Sequence, residues 1–295
     1  MTHDDSQLLQ LNILPDLCYS FSNQYKKLLL GADEMKRTKK VGLNALLLAV
    51  TLAVNALGAF GFINGTSQSD VSDQYFTLIT PSGMTFSIWS VIYGLLILSL
   101  IMMYIKRNDI YYQRAIDKIT PLFLISCLLN IAWIVLFSFV LVELSTLFIF
   151  GYTILLTLIC RQLLKINDGK HLLLPLTFGL YTGWLMIATV VNVASSLVKI
   201  NWGGFGLADT TWAMIILILA ALLVLFVSLN IKNAALPLPI AWAYYGIYQN
   251  LTNVHPGSLF LLRMLTIAGI VFLIGLAAIQ FYRNHYMVLP NRETV

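Results

Sequence analysis

The chain has 295 residues, of which 59% are hydrophobic and only 11% are charged, and its mean hydropathy is +0.81. Soluble domains carry roughly 25% charged residues, so this composition excludes an ordinary soluble protein and predicts an all-α integral membrane protein. The net charge of +5 does not indicate a nucleic-acid partner, because the basic residues flank apolar segments, where membrane topology accounts for them.

Eight apolar segments follow a polar, basic arm at residues 1–40. They are residues 41–62, 86–105, 121–142, 144–160, 172–197, 210–229, 236–251 and 259–281. A helix needs about 20 apolar residues to cross the ~30 Å hydrocarbon core of a bilayer. The seventh segment is the weakest span, because Pro237 and Pro239 lie at its start and it is only about 24 Å long as a helix. A re-entrant seventh segment, and hence seven spans, is therefore the alternative to eight.

The positions of Lys and Arg predict the orientation. If all eight segments cross, sixteen of the eighteen Lys and Arg residues lie on the side of the N-terminus, and only Lys199 and Arg263 lie on the other. Because loops rich in Lys and Arg stay in the cytoplasm, we expect both termini to be cytoplasmic, and eight spans are favoured over seven. The predicted localisation is the cell membrane.

Three of the predicted spans carry aromatic and polar side chains at helical spacing. They are Phe86, Trp89 and Tyr93 in the second span, Asn130, Trp133 and Phe137 in the third, and Tyr181, Trp184, Ala188 and Asn192 in the fifth. Such offsets place each set on one face of its helix. An interfacial aromatic belt with Asn side chains joining helices is the alternative. Because buried carboxamides and indoles need partners, the three stripes are predicted to converge on a pocket for a planar, apolar ligand.

These residues resemble the tryptophan-rich sensory and translocator protein family (TspO/MBR). Residues 129–137 resemble the Leu-Asn-x-x-Trp-x-x-Leu-Phe signature of that family's third helix, and residues 181–192 are similar to its fifth-helix Tyr-x-x-Trp…Ala-Thr-x-x-Asn pattern. Trp89 and Tyr93 match its second-helix Trp-x-x-x-Tyr motif. The resemblance covers residues 41–197, which predicts a TspO-like five-helix membrane domain between the arm and a set of additional C-terminal helices at residues 198–295. Leu180 stands where the family often has Pro, a departure that allows a different ligand.

The resemblance implies a membrane receptor or carrier with a sensory or transport role. Members of the family bind porphyrins such as haem and protoporphyrin, and some bind sterols, so the implied partner is a planar hydrophobic small molecule within the lipid bilayer. The residues implied to line or support the pocket are Trp89, Tyr93, Asn130, Trp133, Trp184, Ala188 and Asn192, with the long loop at residues 63–84 as a lid. A porphyrin or haem would be a ligand, and no cofactor is required.

Two other functions stay open, an ion-coupled transporter and an enzyme that acts on a tetrapyrrole or lipid in the membrane. The first needs an intramembrane acidic residue or a broken helix, and the second needs converging acid–base groups. Glu143 and Arg263 lie near the outer ends of their spans and are predicted to form a structural ion pair, with a substrate site as the alternative. We therefore predict no catalytic residue and no metal site, although porphyrin degradation has been proposed for the family. Gly58 and Gly151 permit close helix contacts, within one chain or in a homodimer.

Overall fold

The computed structural model describes residues 37–254 and 258–291, and most of these are helical. The helices are α1 (Arg37–Ala59), α2 (Gln68–Gln74), α3 (Ile88–Ile105), α4 (Ile110–Ser138), α5 (Val142–Ile166), α6 (Leu173–Lys199), α7 (Asp209–Ile231), α8 (Pro237–Val254) and α9 (Phe260–Arg283). A 3-10 turn at Gly83–Ser87 leads into α3, and another lies at Gly204–Gly206. Most of the predicted basic arm, residues 1–36, lies outside the described residues.

Seven helical segments are long and apolar enough to cross a membrane. They are α1, Gly83–Ile105, α4, α5, α6, α7 and α9. This confirms the prediction of an all-α, multi-pass membrane protein. The helix α8, which corresponds to the weak seventh segment, is not among the seven. Its second half carries Gln249, Asn250 and Asn253, and nine of its eighteen residues are buried against other helices.

The helix α8 runs from one end of the bundle to the other. Just before it, the Asn233 side chain donates a hydrogen bond to the carbonyl oxygen of Pro175, in the first turn of α6, at 2.8 Å. Near its end, the Asn250 side chain donates to the carbonyl oxygen of Thr80, in the segment that precedes α3, at 2.8 Å. The start of α6 and the start of α3 lie at opposite ends of the bundle, because α3 leads through a short loop into α4, whose Tyr111 ring stacks on His171 beside the start of α6.

Glycines let α8 approach its neighbours closely. A Cβ atom at Gly183 of α6 would collide with the carbonyl oxygen of Leu236 and lie 2.8 Å from the Pro239 ring. A Cβ atom at Gly269 of α9 would likewise collide with the ring of Tyr244. Small residues allow such backbone approach between membrane helices, where dispersion contacts replace the hydrophobic effect as the force that joins them. The C-terminal helices are therefore packed into the bundle and do not form a separate body.

The predicted ion pair between Glu143 and Arg263 is wrong. The Glu143 carboxylate instead lies 2.6 Å from the Lys199 ammonium group, which also donates to the carbonyl oxygen of Val140 at 2.7 Å. The reason is the packing of α5 against α6, which brings the last residue of α6 to the first turn of α5, whereas α9 packs on α7 and α8. The link between α4 and α5 comprises residues 139–141, so Glu143, the single residue between the predicted segments 121–142 and 144–160, belongs to α5.

Candidate functional site: an aromatic pocket between α3, α4 and α6

The three predicted stripes face one cavity. Seven of the ten predicted site residues line it, namely Phe86, Trp89, Trp133, Phe137, Trp184, Ala188 and Asn192. The Trp89 ring is central, with its centroid 6.5 Å from that of Trp133 and 6.1 Å from that of Trp184, the latter edge-on. Phe86 meets Trp184 edge-on as well, at 6.0 Å. The helical offsets read from the sequence thus place three indoles from three helices around the same space.

The other three predicted residues, Tyr93, Asn130 and Tyr181, lie beside the cavity in a buried hydrogen-bond network. The Asn55 amide of α1 donates to the Asn130 side-chain oxygen at 2.9 Å and accepts from the Tyr93 hydroxyl at 2.9 Å. The Asn130 amide in turn donates to the hydroxyls of Tyr152, at 2.9 Å, and Tyr181, at 3.4 Å. Both ends of the Asn130 amide are therefore occupied, and its role in this structure is to join α1, α3, α4, α5 and α6 behind the pocket.

A second set of hydrogen bonds fixes the side chains of Trp133 and Asn192, which line the cavity. The indole N–H of Trp133 donates to the Asn192 side-chain oxygen at 3.1 Å. The Asn192 amide donates to the hydroxyls of Thr146, at 2.6 Å, and Ser145, at 3.2 Å. Because buried polar groups are costly unless they are paired, these bonds hold Trp133 in one orientation and leave its ring face for the cavity.

The connection between α1 and α3 covers the cavity, where the sequence predicts a lid. Gln68 and Ser72 of α2 line the cavity, and so does Pro81. The first turn of α2 is closed by a capping box, in which the Asp70 N–H donates to the Ser67 hydroxyl at 3.1 Å and the Ser67 N–H donates to the Asp70 carboxylate at 2.9 Å. The hydrogen bonds from Ser67 lower the pKa of Asp70 below its usual value.

Sequence reasoning missed this lid helix. The signal that could have revealed it is the Ser-x-x-Asp spacing of Ser67 and Asp70, which is typical of a helix start. It also missed the lining residues Ile187, Val191 and Ser195, since they fall between the positions of the α6 stripe.

The helix α8 fastens the segment that leads from the lid into α3. The Trp242 indole N–H donates to the carbonyl oxygen of Thr85 at 2.9 Å, and the Ser82 N–H donates to the carbonyl oxygen of Gly246 at 3.1 Å. The Ser82 hydroxyl donates to the Gln249 side-chain oxygen at 3.2 Å. Two of the polar residues that weaken α8 as a membrane span, Gln249 and Asn250, thus hydrogen-bond with Ser82 and Thr80 in the segment that leads to Phe86, which lines the pocket.

The cavity in this structure is small and has unused donors. Its volume is about 70 Å³, against roughly 300–1,000 Å³ for sites that hold drug-sized ligands. The indole N–H of Trp184 and the amide nitrogen of Gln68, both on lining residues, are buried without a partner. Such orphaned donors cost free energy that an acceptor on a ligand would recover. Among the lining residues in the described chain there is no Asp, Glu, His or Cys.

The fold and the site together define an all-α, multi-pass membrane protein with an aromatic pocket enclosed by its helices. A family model described as TSPO-like protein matches residues 41–281. The chain therefore belongs to the TSPO-like protein family. The match includes α7, α8 and almost all of α9, and so extends beyond the segment that carries the sequence motifs. Searches among curated proteins and among solved structures gave no match.

Proposed function

We propose that the protein is a membrane receptor or carrier that binds a planar hydrophobic ligand, such as a porphyrin or a sterol, in the aromatic pocket. The observation that carries the proposal is the convergence of Trp89, Trp133 and Trp184 on one cavity. Indole faces stack well on a flat macrocycle and provide large apolar contact areas. The unpartnered N–H groups of Trp184 and Gln68 would donate hydrogen bonds to oxygen atoms at the edge of a ligand, such as the carboxylates of a porphyrin.

Ligand entry requires the lid to move. A cavity of about 70 Å³ must grow to at least roughly 300 Å³ before it holds a ligand of this size. The lid helix α2 is the element best suited to move, because it has only seven residues and only Val71 among them is buried. Opening and closing of such a lid fits either a sensory or a transport role. An enzyme is less well supported, because the lining residues in the described chain offer no carboxylate, imidazole or thiol for acid–base chemistry.

We also propose that the protein resides in the cell membrane with eight spans and with both termini in the cytoplasm. The path of α8 between the two ends of the bundle supports a full crossing. Half of its residues are buried against other helices, and Gln249 and Asn250 in its polar second half hydrogen-bond with Ser82 and Thr80, which lowers the cost of placing these groups in the membrane. In this arrangement Lys199 and Arg263 are the Lys and Arg residues at the outer end within the described ranges. The other described Lys and Arg residues lie at the opposite end, which is the distribution expected of a cytoplasmic side.

Quenching of tryptophan fluorescence by protoporphyrin tests the pocket. We expect saturable quenching of the wild-type protein and its loss in the double variant Trp89→Phe with Trp184→Phe. The control is Trp212→Phe, which removes an indole that contacts Trp202 and does not line the pocket, and it should leave the titration unchanged. Quenching that never saturates, or that is equal in all variants, would contradict the proposal.

A further inference from the structure

A large groove lies on the opposite face of α6 from the aromatic pocket. It is bounded by α5 and α7, has α6 as its floor, and has a volume of about 550 Å³. Its walls include Phe150, Leu219 and Leu223, whose side chains are 57%, 58% and 46% exposed and so face the surrounding lipid. Along α7 the lining extends from Trp212 to Val227, which is about 22 Å at 1.5 Å per residue.

The lining of this α5–α7 groove is apolar even where it carries hydroxyl groups. Thr153, Thr157 and Thr189 line it. Each hydroxyl donates to the carbonyl oxygen four residues earlier in its own helix, at 2.9, 2.9 and 2.7 Å respectively. Because their hydrogen bonds are satisfied internally, these residues do not demand a polar partner from an occupant. The apolar lining is therefore complementary to an extended hydrocarbon chain.

The two ends of the groove differ in chemistry. Trp202 and Trp212 line the outer end, with ring centroids 4.9 Å apart. Arg161 lines the other end, five residues before the last residue of α5. Its guanidinium group makes no hydrogen bond or ion pair with any residue in the described parts of the chain. A long cationic side chain at this depth extends toward the head groups, and a guanidinium binds phosphate with two parallel hydrogen bonds.

We propose that the α5–α7 groove binds one anionic phospholipid of the inner leaflet, with its phosphate on Arg161 and an acyl chain along the groove. Each leaflet provides about half of the ~30 Å hydrocarbon core, so a groove of about 22 Å accommodates the full length of one chain. Basic positions between membrane helices on the cytoplasmic side are where anionic lipid head groups bind. The site requires α7, and it is separate from the aromatic pocket because the two are lined by different residues of α6.

Lipids brominated near the end of the acyl chain test the proposal, because bromine quenches indole fluorescence at short range and the end of a chain anchored at Arg161 points along the groove toward Trp202 and Trp212. The purified protein is titrated in detergent micelles with brominated phosphatidylglycerol, which is anionic, and with brominated phosphatidylcholine, which is zwitterionic. Both lipids carry a phosphodiester, but the quaternary ammonium group of phosphatidylcholine repels the Arg161 guanidinium. We therefore expect saturable quenching with roughly tenfold higher affinity for the anionic lipid. The double variant Trp202→Phe with Trp212→Phe should lose most of this signal.

Three further variants separate the head-group contact from the groove. Arg161→Gln should remove the preference for the anionic lipid, whereas Arg283→Gln, a matched change at the end of α9, should retain it. Val193→Phe, which adds a ring to the groove floor, should weaken binding of both lipids. Equal affinity of the wild type for the two lipids, or equal effects of Arg161→Gln and Arg283→Gln, would overturn the proposal. Because the readout uses no porphyrin, the result is independent of the outcome for the aromatic pocket.

Discussion

Substitution of Gly246 by alanine should loosen the segment that α8 fastens in front of α3. A Cβ atom at this position would collide with the Thr85 hydroxyl and lie 2.9 Å from the Thr85 Cβ and 3.0 Å from its Cγ2. Rotation of the Thr85 side chain would move the hydroxyl away but would leave the Cβ in place. The backbone of α8 or that of residues 80–85 must therefore shift.

The size of the effect follows from the contacts that this shift disturbs. Overpacking in a tight interface costs roughly 1–3 kcal/mol. The bonds from the Ser82 N–H to the Gly246 oxygen and from the Trp242 indole to the Thr85 oxygen are worth roughly 0.5–1.5 kcal/mol each. Alanine in a helix interior offsets about 1 kcal/mol of this, because it is the better helix former. The net loss of unfolding free energy should be about 1–5 kcal/mol.

Unfolding of the purified protein by SDS in detergent micelles measures this loss. Gly94→Ala is the matched control, because Gly94 lies inside α3 and a Cβ atom there would meet nothing within 4 Å. It should leave stability unchanged or raise it by up to about 1 kcal/mol. Amide hydrogen exchange at residues 80–86 should accelerate in Gly246→Ala alone. Equal stability and equal exchange in the two variants would refute the conclusion that α8 fastens this segment.

Three further changes test the network, the ion pair and the lid. Asn130→Ala removes three hydrogen bonds between helices at about 0.6 kcal/mol each, so SDS unfolding should show a loss of about 2 kcal/mol, and an unchanged midpoint would contradict the role assigned to the network. Asp117→Asn weakens the contact with the buried Lys40 ammonium group at 2.9 Å. Because Asp117 is 30% exposed, the loss should be about 1–2 kcal/mol, below the roughly 3–5 kcal/mol of a fully buried pair, and no loss would mean that solvent screens the contact. The pKa of Asp70 is lowered by its hydrogen bonds to the start of α2, so its stabilisation of the lid helix is present above the ordinary Asp pKa of about 3.9 and is lost as the pH falls through the lowered value. A nitroxide label introduced by Gln74→Cys should become more mobile in that acidic range, and constant mobility would contradict the capping role.

The sequence predicts the helices of this protein well, because their apolar runs are long and end at polar or small residues. The predicted segment 172–197 corresponds to α6 at Leu173–Lys199, and 259–281 corresponds to α9 at Phe260–Arg283. The largest difference is in α4, which begins at Ile110, eleven residues before the predicted start at 121. The early turns of α4 contain Arg114, Asp117 and Lys118, whose charges end an apolar run without ending a helix.

The sequence is less informative about which residues meet across the bundle. The offsets of Trp89, Trp133 and Trp184 indicate their faces, and those faces do meet. Periodicity does not reveal the rotation and depth of one helix against another, however. Asn130 therefore looked available to a ligand from its spacing alone, although Asn55 of α1 occupies its side-chain oxygen. The same limit explains why spacing alone predicts Arg263 as the partner of Glu143, whereas the structure places Lys199 there.

The measurement that tests the central proposal most directly is protoporphyrin binding to a variant with a filled pocket. Ala188 lines the cavity on α6, and Ala188→Phe would occupy the space between the indoles. The matched control is Ala53→Phe, the same change at an exposed position of α1. If the ligand binds between the indoles, Ala188→Phe should lower the affinity at least roughly tenfold, a loss of about 1.4 kcal/mol, while Ala53→Phe binds like the wild type. Equal affinity in both variants, with both folded as judged by SDS unfolding, would place the ligand outside this pocket.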